Sequence, residues 1–497
     1  MKALVLFLLS FAQGVDIDYP LGMNFGPVAY HSKAWTFVDV FKMGKQWALQ
    51  EDGTNSTTPP NLTSDGWIAS LEENQDAVTY FFMGIDGEYP GGEYHIFYDG
   101  EGDFSLGGDT EVISEAPGRT VVNVIPGTGI PFRLRDTNEN NPLRNIRFIM
   151  PGFEDTYEQE PFHPLYLEKL EPFGVYRFME WGKTNNSDVI EWTDRRQYDY
   201  AIQTEPPGVA FEWMIRLANR TRTDPWICVP HQANDEFIHN LAVLIRDTLD
   251  PTLKCYIEWS NEVWNWGFDQ MHWATEQGII LWPDEAEYIA RARFYGKRSV
   301  EVFEIFEEVF GGLDRLYRVL AWQQGQNVHG SIMLGWEGTY RKADIFAVNA
   351  YFGNGSQNEI PEKEMIQWSV DDVLDWAEAK MLEQHSGGLK VSLEMITRAG
   401  LYPAVYEGGP ALTGFAWNPD IVEKYNIATR HPRMRRIYFQ QMKKWYEAGG
   451  ELFMPFNYAH DWKDYGRWGH LETQTQDPQS ASKYGALLDY IPYRDNH

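Results

Sequence analysis

Residues 255–266 read Cys255-Tyr256-Ile257-Glu258-Trp259-Ser260-Asn261-Glu262-Val263-Trp264-Asn265-Trp266. The stretch begins as a strand, rich in aromatic and β-branched residues. It follows a run at 235–249 in which Phe237, Leu241, Leu244 and Ile245 recur at helical spacing. A helix feeding a short apolar strand is half of a βαβ unit, so the fold depends on whether that rhythm repeats. From residue 152 onward it does. Helical runs at 164–170, 209–218, 285–310, 340–342, 370–385 and 432–448 lead into strands at 174–181, 225–230, 316–323, 344–351, 402–407 and 452–456. With 254–260 and an early strand, Leu21-Gly22-Met23-Asn24-Phe25-Gly26, the count is eight. Strands that alternate with helices pair in parallel, and eight of them predict a closed (β/α)8 barrel.

The region between the first two strands has another character. A helix is predicted over 36–47 from Phe37, Val40, Phe41 and Trp47, with Gly44 against it. A Thr/Asn/Pro-rich loop at 53–64 follows. Short apolar runs then recur at 78–83, 94–98, 111–114, 120–125, 131–134 and 145–150, separated by Gly and Pro. Evenly spaced strands without helices predict an antiparallel β-sandwich inserted between barrel strands one and two. The domain reading is therefore a leader at 1–14, a barrel at 15–59 and 153–497, and a sandwich at 60–152. Asp99-Gly100-Glu101-Gly102-Asp103 has calcium-loop spacing, but Phe104 stands where that loop needs glycine, so a simple turn is expected.

Composition narrows the function. The 497 residues carry a formal net charge of −30, which argues against nucleic acid and disfavours acidic polymers as ligands. The dense basic run from Arg430 to Arg436 opens an amphipathic helix and reads as a solvated face. Lys2, an apolar core at 3–12 and small residues Ala12 and Gly14 form a secretory signal with a cut ahead of Val15. The mature protein is thus expected to be secreted, soluble, free of membrane and monomeric. Acceptor sites for N-glycans occur at Asn55, Asn61, Asn185, Asn219 and Asn354. The two cysteines, Cys228 and Cys255, fall in neighbouring barrel strands and read as buried free thiols. Aromatics are abundant, at 20 Trp, 27 Tyr and 28 Phe. Many serve a large core, and a surplus of Trp also suits a cleft that stacks sugar rings.

The active face of such a barrel lies at the C-terminal ends of its strands. Glu262 follows strand four and Glu407, in Val405-Tyr406-Glu407-Gly408-Gly409, ends strand seven. A carboxyl among indoles is poorly solvated, so Glu262 should hold its proton near neutral pH. On these residues the chain resembles the clan A glycoside hydrolases, (β/α)8 barrels with retaining chemistry. In them the acid/base is the Glu of an Asn-Glu pair after strand four, and the nucleophile is a Glu ending strand seven. Asn261-Glu262 and Glu407 match those positions, and the resemblance covers roughly residues 21–50 and 151–497. It implies that Arg177, ending strand two, lies beside the nucleophile and keeps it ionised. It also implies that Tyr351, ending strand six, donates to the nucleophile, and that His231, ending strand three, contacts sugar or orients a carboxyl. Trp468 or Trp462, after strand eight, would floor the central sugar site. Trp181, Trp264 and Trp266 are further platform candidates, and Glu180, which also ends a strand, is either a substrate ligand or a support behind the site. Glu258 competes with Glu262 as acid but lacks the adjacent amide, so it is read as a support from the barrel interior.

The reading implied is a retaining hydrolase of β-linked polysaccharide, endo-β-1,4-glucanase or hemicellulase in type, acting by double displacement without metal or cofactor. An exo-acting β-glycosidase and a non-catalytic carbohydrate-binding barrel are the alternatives. Metal-protease, phosphate-loop and esterase motifs are absent from the sequence.

Overall fold

The structure, a computed structural model, describes residues 21–462 and 466–495. The leader predicted at 1–14 lies outside them. Eight parallel strands form one sheet in chain order: Met23–Asn24, Val175–Arg177, Asp224–Val229, Cys255–Trp259, Leu316–Trp322, Ile345–Phe352, Tyr402–Pro410 and Leu452–Pro455. A parallel bridge from Leu21 to Phe453 and the Gly22 N–H donating to the Phe453 carbonyl (3.1 Å) join the last strand to the first. The fold is a (β/α)8 barrel.

Alternation of side chains builds its two cores. In strand four, Ile257 and Trp259 face the helices, and Trp259 packs on Tyr295 of the 24-residue helix Glu287–Phe310. Gly311 adopts a left-handed φ of 73° to stop that helix, a conformation that costs glycine nothing. Tyr256 faces inward. It is in register with Trp226 of strand three and Tyr317 of strand five, and the rings meet at 5.5 and 4.6 Å. One step higher, Cys228, Glu258 and Val319 share the next layer. A barrel interior filled in layers is a plug, so chemistry is confined to the mouth above it.

Two antiparallel sheets occupy the chain between strands one and two. The five-stranded sheet runs Thr54–Asn55, Ala48–Glu51, Gln75–Phe81, Ile130–Thr137, Gly102–Leu106. The four-stranded sheet runs Arg144–Ile149, Gly92–Asp99, Arg119–Val124, Thr110–Ala116. Phe81 of the first meets Phe148 of the second at 5.5 Å across the core of a sandwich, and Phe148 also meets Tyr94 of its own sheet at 5.0 Å. The first sheet thus takes in Ala48–Glu51, earlier than the boundary at 60 drawn from the sequence. The predicted helix at 36–47 is only a single 3-10 turn, Val40–Met43. The reason is that its apolar residues are buried on all sides rather than on one face. Phe37 bridges Phe162, Asp39 bridges Ile149, and Phe41 packs against Trp67, Phe81 and Phe132.

The basic run at 430–436 spans a helix end and the next helix's first turn. Arg430 pairs with Glu472, Arg433 with Asp375 and Glu378, and Arg435 with Asp489, so neighbouring acidic side chains neutralise it. Cys228 and Cys255 are free and buried. Among the described residues no helix is long and apolar enough to cross a membrane.

Candidate active site

Arg177 is the hub of the barrel mouth. It is completely buried, and all its nitrogens are used. Nε and Nη2 donate to Glu258 Oε2 at 3.1 and 2.8 Å. Nη1 donates to Glu407 Oε1 at 2.7 Å and to Asn24 Oδ1 at 3.3 Å, and Nη2 also reaches Asn261 Oδ1 at 2.8 Å. A planar guanidinium is suited to such a fork, where a lysine ammonium could serve only part of it. Glu258 Oε2 further accepts from Trp226 Nε1 at 2.8 Å and from the Cys228 thiol at 3.3 Å. Burial pushes that thiol well above its ordinary range, so it remains a neutral donor. Glu258 is thus locked inside the barrel.

Glu407 and Glu262 face the same cleft, of about 380 Å³, with Glu180, Tyr351, Phe456, Asn457 and Trp468 among its walls. Glu407 is 5% exposed; its second oxygen accepts from Tyr351 Oη at 2.9 Å. Glu262 stands on a distorted turn. Ser260 and Glu262 have φ of 64° and 42°, a left-handed backbone that side-chain-bearing residues adopt at a cost of ~1–3 kcal/mol each. Its Oε1 accepts from Tyr406 Oη at 2.9 Å and its Oε2 from Asn265 Nδ2 at 2.9 Å. Trp264 Nε1 donates to the same Tyr406 oxygen at 3.2 Å, which directs the tyrosine proton toward Glu262.

Glu407 joins Tyr406 at the mouth because strand seven is irregular. Val348 pairs with Val405, but the next residue, Asn349, pairs with Glu407, leaving Tyr406 as an extra residue. In unbroken alternation Ala404 and Tyr406 would face inward while Val405 and Glu407 faced the helices. The bulge brings Tyr406 and Glu407 to the mouth together.

Glu262 is raised as the sequence suggests, but Glu407 differs from the sequence expectation in charge. Burial, aided by the Glu262 carboxyl and opposed by Arg177 and the Tyr351 hydrogen bond, pushes Glu407 up to about 8. Burial also raises Glu262, against the donors Asn265 and Tyr406. Arg177 was expected to keep Glu407 in its ordinary range, but that single cation is shared with Glu258. Three carboxyls surround one guanidinium, so Glu407 and Glu262 titrate as a pair that retains a proton near neutrality. Glu407 faces the cation, whereas the partners of Glu262 are a neutral phenol and an amide. The medium around Glu262 is not the expected cage of indoles: Trp259 points to the helices and Trp266 is 80% exposed.

The other predicted site residues divide. Asn261, Glu180 and Trp468 line the cleft with the carboxyls. Burial raises the Glu180 carboxyl, with Lys183 opposing. Trp264 reaches the site through Tyr406. His231 does not line the cleft. It is buried edge-on to Trp273 (5.6 Å), and burial lowers it to about 4. Trp181 is no platform either: it packs among Phe25 and Phe178 at 5.3 and 5.2 Å. Trp462 is buried, with its indole N–H on the Gly469 carbonyl (2.9 Å) and Arg430 over its ring. Both tryptophans end strands or follow them, but the next residues turn them into the packing layer.

Several wall residues were missed. Besides Tyr406, a chain of amides supports the mouth: Asn185 Oδ1 accepts from Asn261 Nδ2 (3.0 Å) and from Gln270 Nε2 (2.7 Å). Asn185 is therefore an internal site residue rather than the surface glycan acceptor its motif suggested. Asn457 is 3% exposed, lines the cleft, and has an Oδ1 with no protein partner. Among the described residues no group of three or more His, Cys, Asp or Glu is arranged to hold a metal ion.

Fold and site together define a (β/α)8 barrel with a pair of carboxyls in one cleft at the C-terminal ends of strands four and seven. No family model matches the sequence. No curated protein matches it either. Solved structures to which the chain is similar include a GH51 arabinofuranosidase from Xanthomonas axonopodis pv. citri (TM-score 0.42, 10% identity, covering 67% of this chain and 66% of that one). Native xylanase 10B from Thermotoga maritima is another (TM-score 0.36, 10% identity, 67% and 90%). So is a fungal β-1,4-galactanase (TM-score 0.35, 13% identity, 65% and 91%). The chain spans just under two thirds of the arabinofuranosidase.

Proposed function

We propose that the protein is a secreted, retaining glycoside hydrolase of the clan A type that cleaves β-linked polysaccharide by double displacement. The observation that carries this reading is the unequal treatment of two carboxyls in one cleft: Glu407 faces a guanidinium, Glu262 faces neutral donors. In the first step the Glu407 carboxylate attacks the anomeric carbon. The bond from that carbon to the glycosidic oxygen breaks, and Glu262 gives its proton to the departing oxygen. In the second, Glu262 takes a proton from water, whose oxygen bonds the anomeric carbon as the ester to Glu407 breaks. Arg177 and Tyr351 hold Glu407 in place and receive its charge when it leaves as carboxylate. Tyr406 and Asn265 hold Glu262, and Trp468 offers an indole wall for the apolar face of a sugar ring. The expected substrate is a neutral glycan of the cellulose, mixed-linkage glucan, mannan or xylan kind, and the protein acts as a monomer without cofactor. The test is purified protein on a panel of these polysaccharides with product lengths resolved. Oligomers released from at least one, and none from the Glu407→Gln variant, is the expected result. No release from any of them overturns the reading.

A further inference from the structure

A second cavity, of about 540 Å³, adjoins the reaction cleft and shares Pro27, His460 and Trp468 with it. Its other walls come from the loop after strand one, the loop after strand eight, and Met83 and Gly84 of the inserted sandwich. We infer that the sandwich, through this cavity, completes a binding compartment for the neutral sugars that precede the cleaved residue on the glycone side. The inference rests on the glycoside hydrolase reading and adds to it a place and a role for the insertion.

Three observations carry it. The wall supplied by the sandwich is built rather than draped. The Met83 N–H donates to the Tyr30 carbonyl (3.0 Å), and the Trp35 indole and Thr475 hydroxyl both reach Glu88 (2.9 Å each). Phe82 stacks on Tyr89 at 4.5 Å, and Ile85 is fully buried beneath the turn. These bonds tie the turn to the loops after strands one and eight, so the compartment is formed before ligand arrives.

The lining has the chemistry of a sugar site without net charge. Trp468 stands between the two cavities, fixed by its carbonyl on the Asn457 N–H (3.0 Å) and packed so closely that a Cβ on Gly466 would come within 2.5 Å of its ring. One indole bordering both spaces is placed to stack consecutive rings of one chain. Lys33, 9% exposed, lies 3.7 Å from Asp86 and 3.4 Å from Asp461. An ammonium flanked by two carboxylates does not attract a uronate, whereas donors and acceptors together match hydroxyls.

Position assigns the side. Strands eight and one are neighbours where the barrel closes, and strand four is diametrically opposite in the strand order. Glu262, on the strand-four side, protonates the leaving group, so the leaving group departs there. Sugars toward strands eight and one belong to the glycone.

The experiment uses 4-nitrophenyl β-glycosides with one, two and three sugars in the glycone, in the glucose, xylose and mannose series. The leaving group is constant, so kcat/KM reports the glycone alone. Wild-type protein is expected to gain at least tenfold from one sugar to three in the preferred series. Met83→Trp, which fills the cavity, and Lys33→Ala, which removes its ammonium, are each expected to cut that gain to threefold or less. The gain is normalised to the same variant's rate on the single-sugar glycoside, so a general loss of folded protein cancels. No gain in wild type, or a full gain in both variants, overturns the inference while leaving the glycosidase reading intact. Failure to cleave any glycoside in any series counts against that reading itself, and the inference falls with it.

Discussion

Replacing Glu407 by glutamine removes one charge from the carboxyl cluster while keeping an isosteric acceptor for Arg177. A buried carboxyl raised from 4.5 to about 8 binds its proton more tightly folded than unfolded. Its penalty is absent below the unfolded value, grows through the interval from about 4.5 to 8, and is complete above it. At about 1.4 kcal/mol per tenfold, the full interval corresponds to roughly 4–5 kcal/mol as an upper bound. Glu262 stays in the cleft of the variant and retains its share, so the relief is on the order of half, ~2 kcal/mol. A chain of this length unfolds with an entropy of ~1 kcal/mol/K, which makes the relief about 2 °C in Tm. Thermal unfolding of both proteins at pH 5 and pH 9 measures it. The difference, variant minus wild type, should rise by about 2–4 °C between the two pH values. At pH 5 the variant should be equal or slightly less stable, because the charge-assisted bond to Arg177 is weakened. A difference that stays level or falls toward pH 9 would refute the claim that the pair is forced to share a proton.

Tyr406→Phe removes a donor that favours the Glu262 anion, so the alkaline limb of kcat/KM should move to higher pH, with kcat down about tenfold. An alkaline limb that stays put or moves lower contradicts the assigned hydrogen bond. Arg177→Lys cannot serve both Glu258 and Glu407 and should lose ~3–5 kcal/mol of stability with most of the activity; a normal Tm in calorimetry argues against the hub. Trp468→Ala should raise KM and leave Tm nearly unchanged. Trp181→Ala and Trp462→Ala, cut from packed surroundings, should lose ~3–5 kcal/mol in stability, and the reverse pattern would mean that platform and packing residues have been exchanged.

Much of the barrel was legible because its signal is periodic. Each strand is a short apolar run after a helical one, and strand-end position together with the Asn261-Glu262 pair pointed to Glu262 and Glu407. Segment 36–47 was misread because Phe37, Val40, Phe41 and Trp47 have helical spacing by coincidence; they are apolar because everything around them is buried. Tyr406 was invisible for a different reason. Strict alternation turns it and Glu407 to opposite faces, and only the bulge against Asn349 brings both to the mouth. The charge state of Glu407 was half legible. Sequence indicated the cation beside it but not that Glu258, from the layer below, holds the same guanidinium. The tryptophans divide by depth, which no local pattern encodes: Trp468 borders the cleft, whereas Trp181 and Trp462 vanish into packing.

The central claim is that Glu407 bonds to the sugar and Glu262 serves as acid and then base. Two displacements restore the starting configuration at the anomeric carbon, whereas a single displacement by water inverts it. Proton NMR of the first product released from a β-linked substrate, recorded before mutarotation, reads that configuration directly. The account predicts the β-anomer as the initial product. An initial α-anomer would contradict it, because it would mean that water, and not Glu407, attacks the sugar.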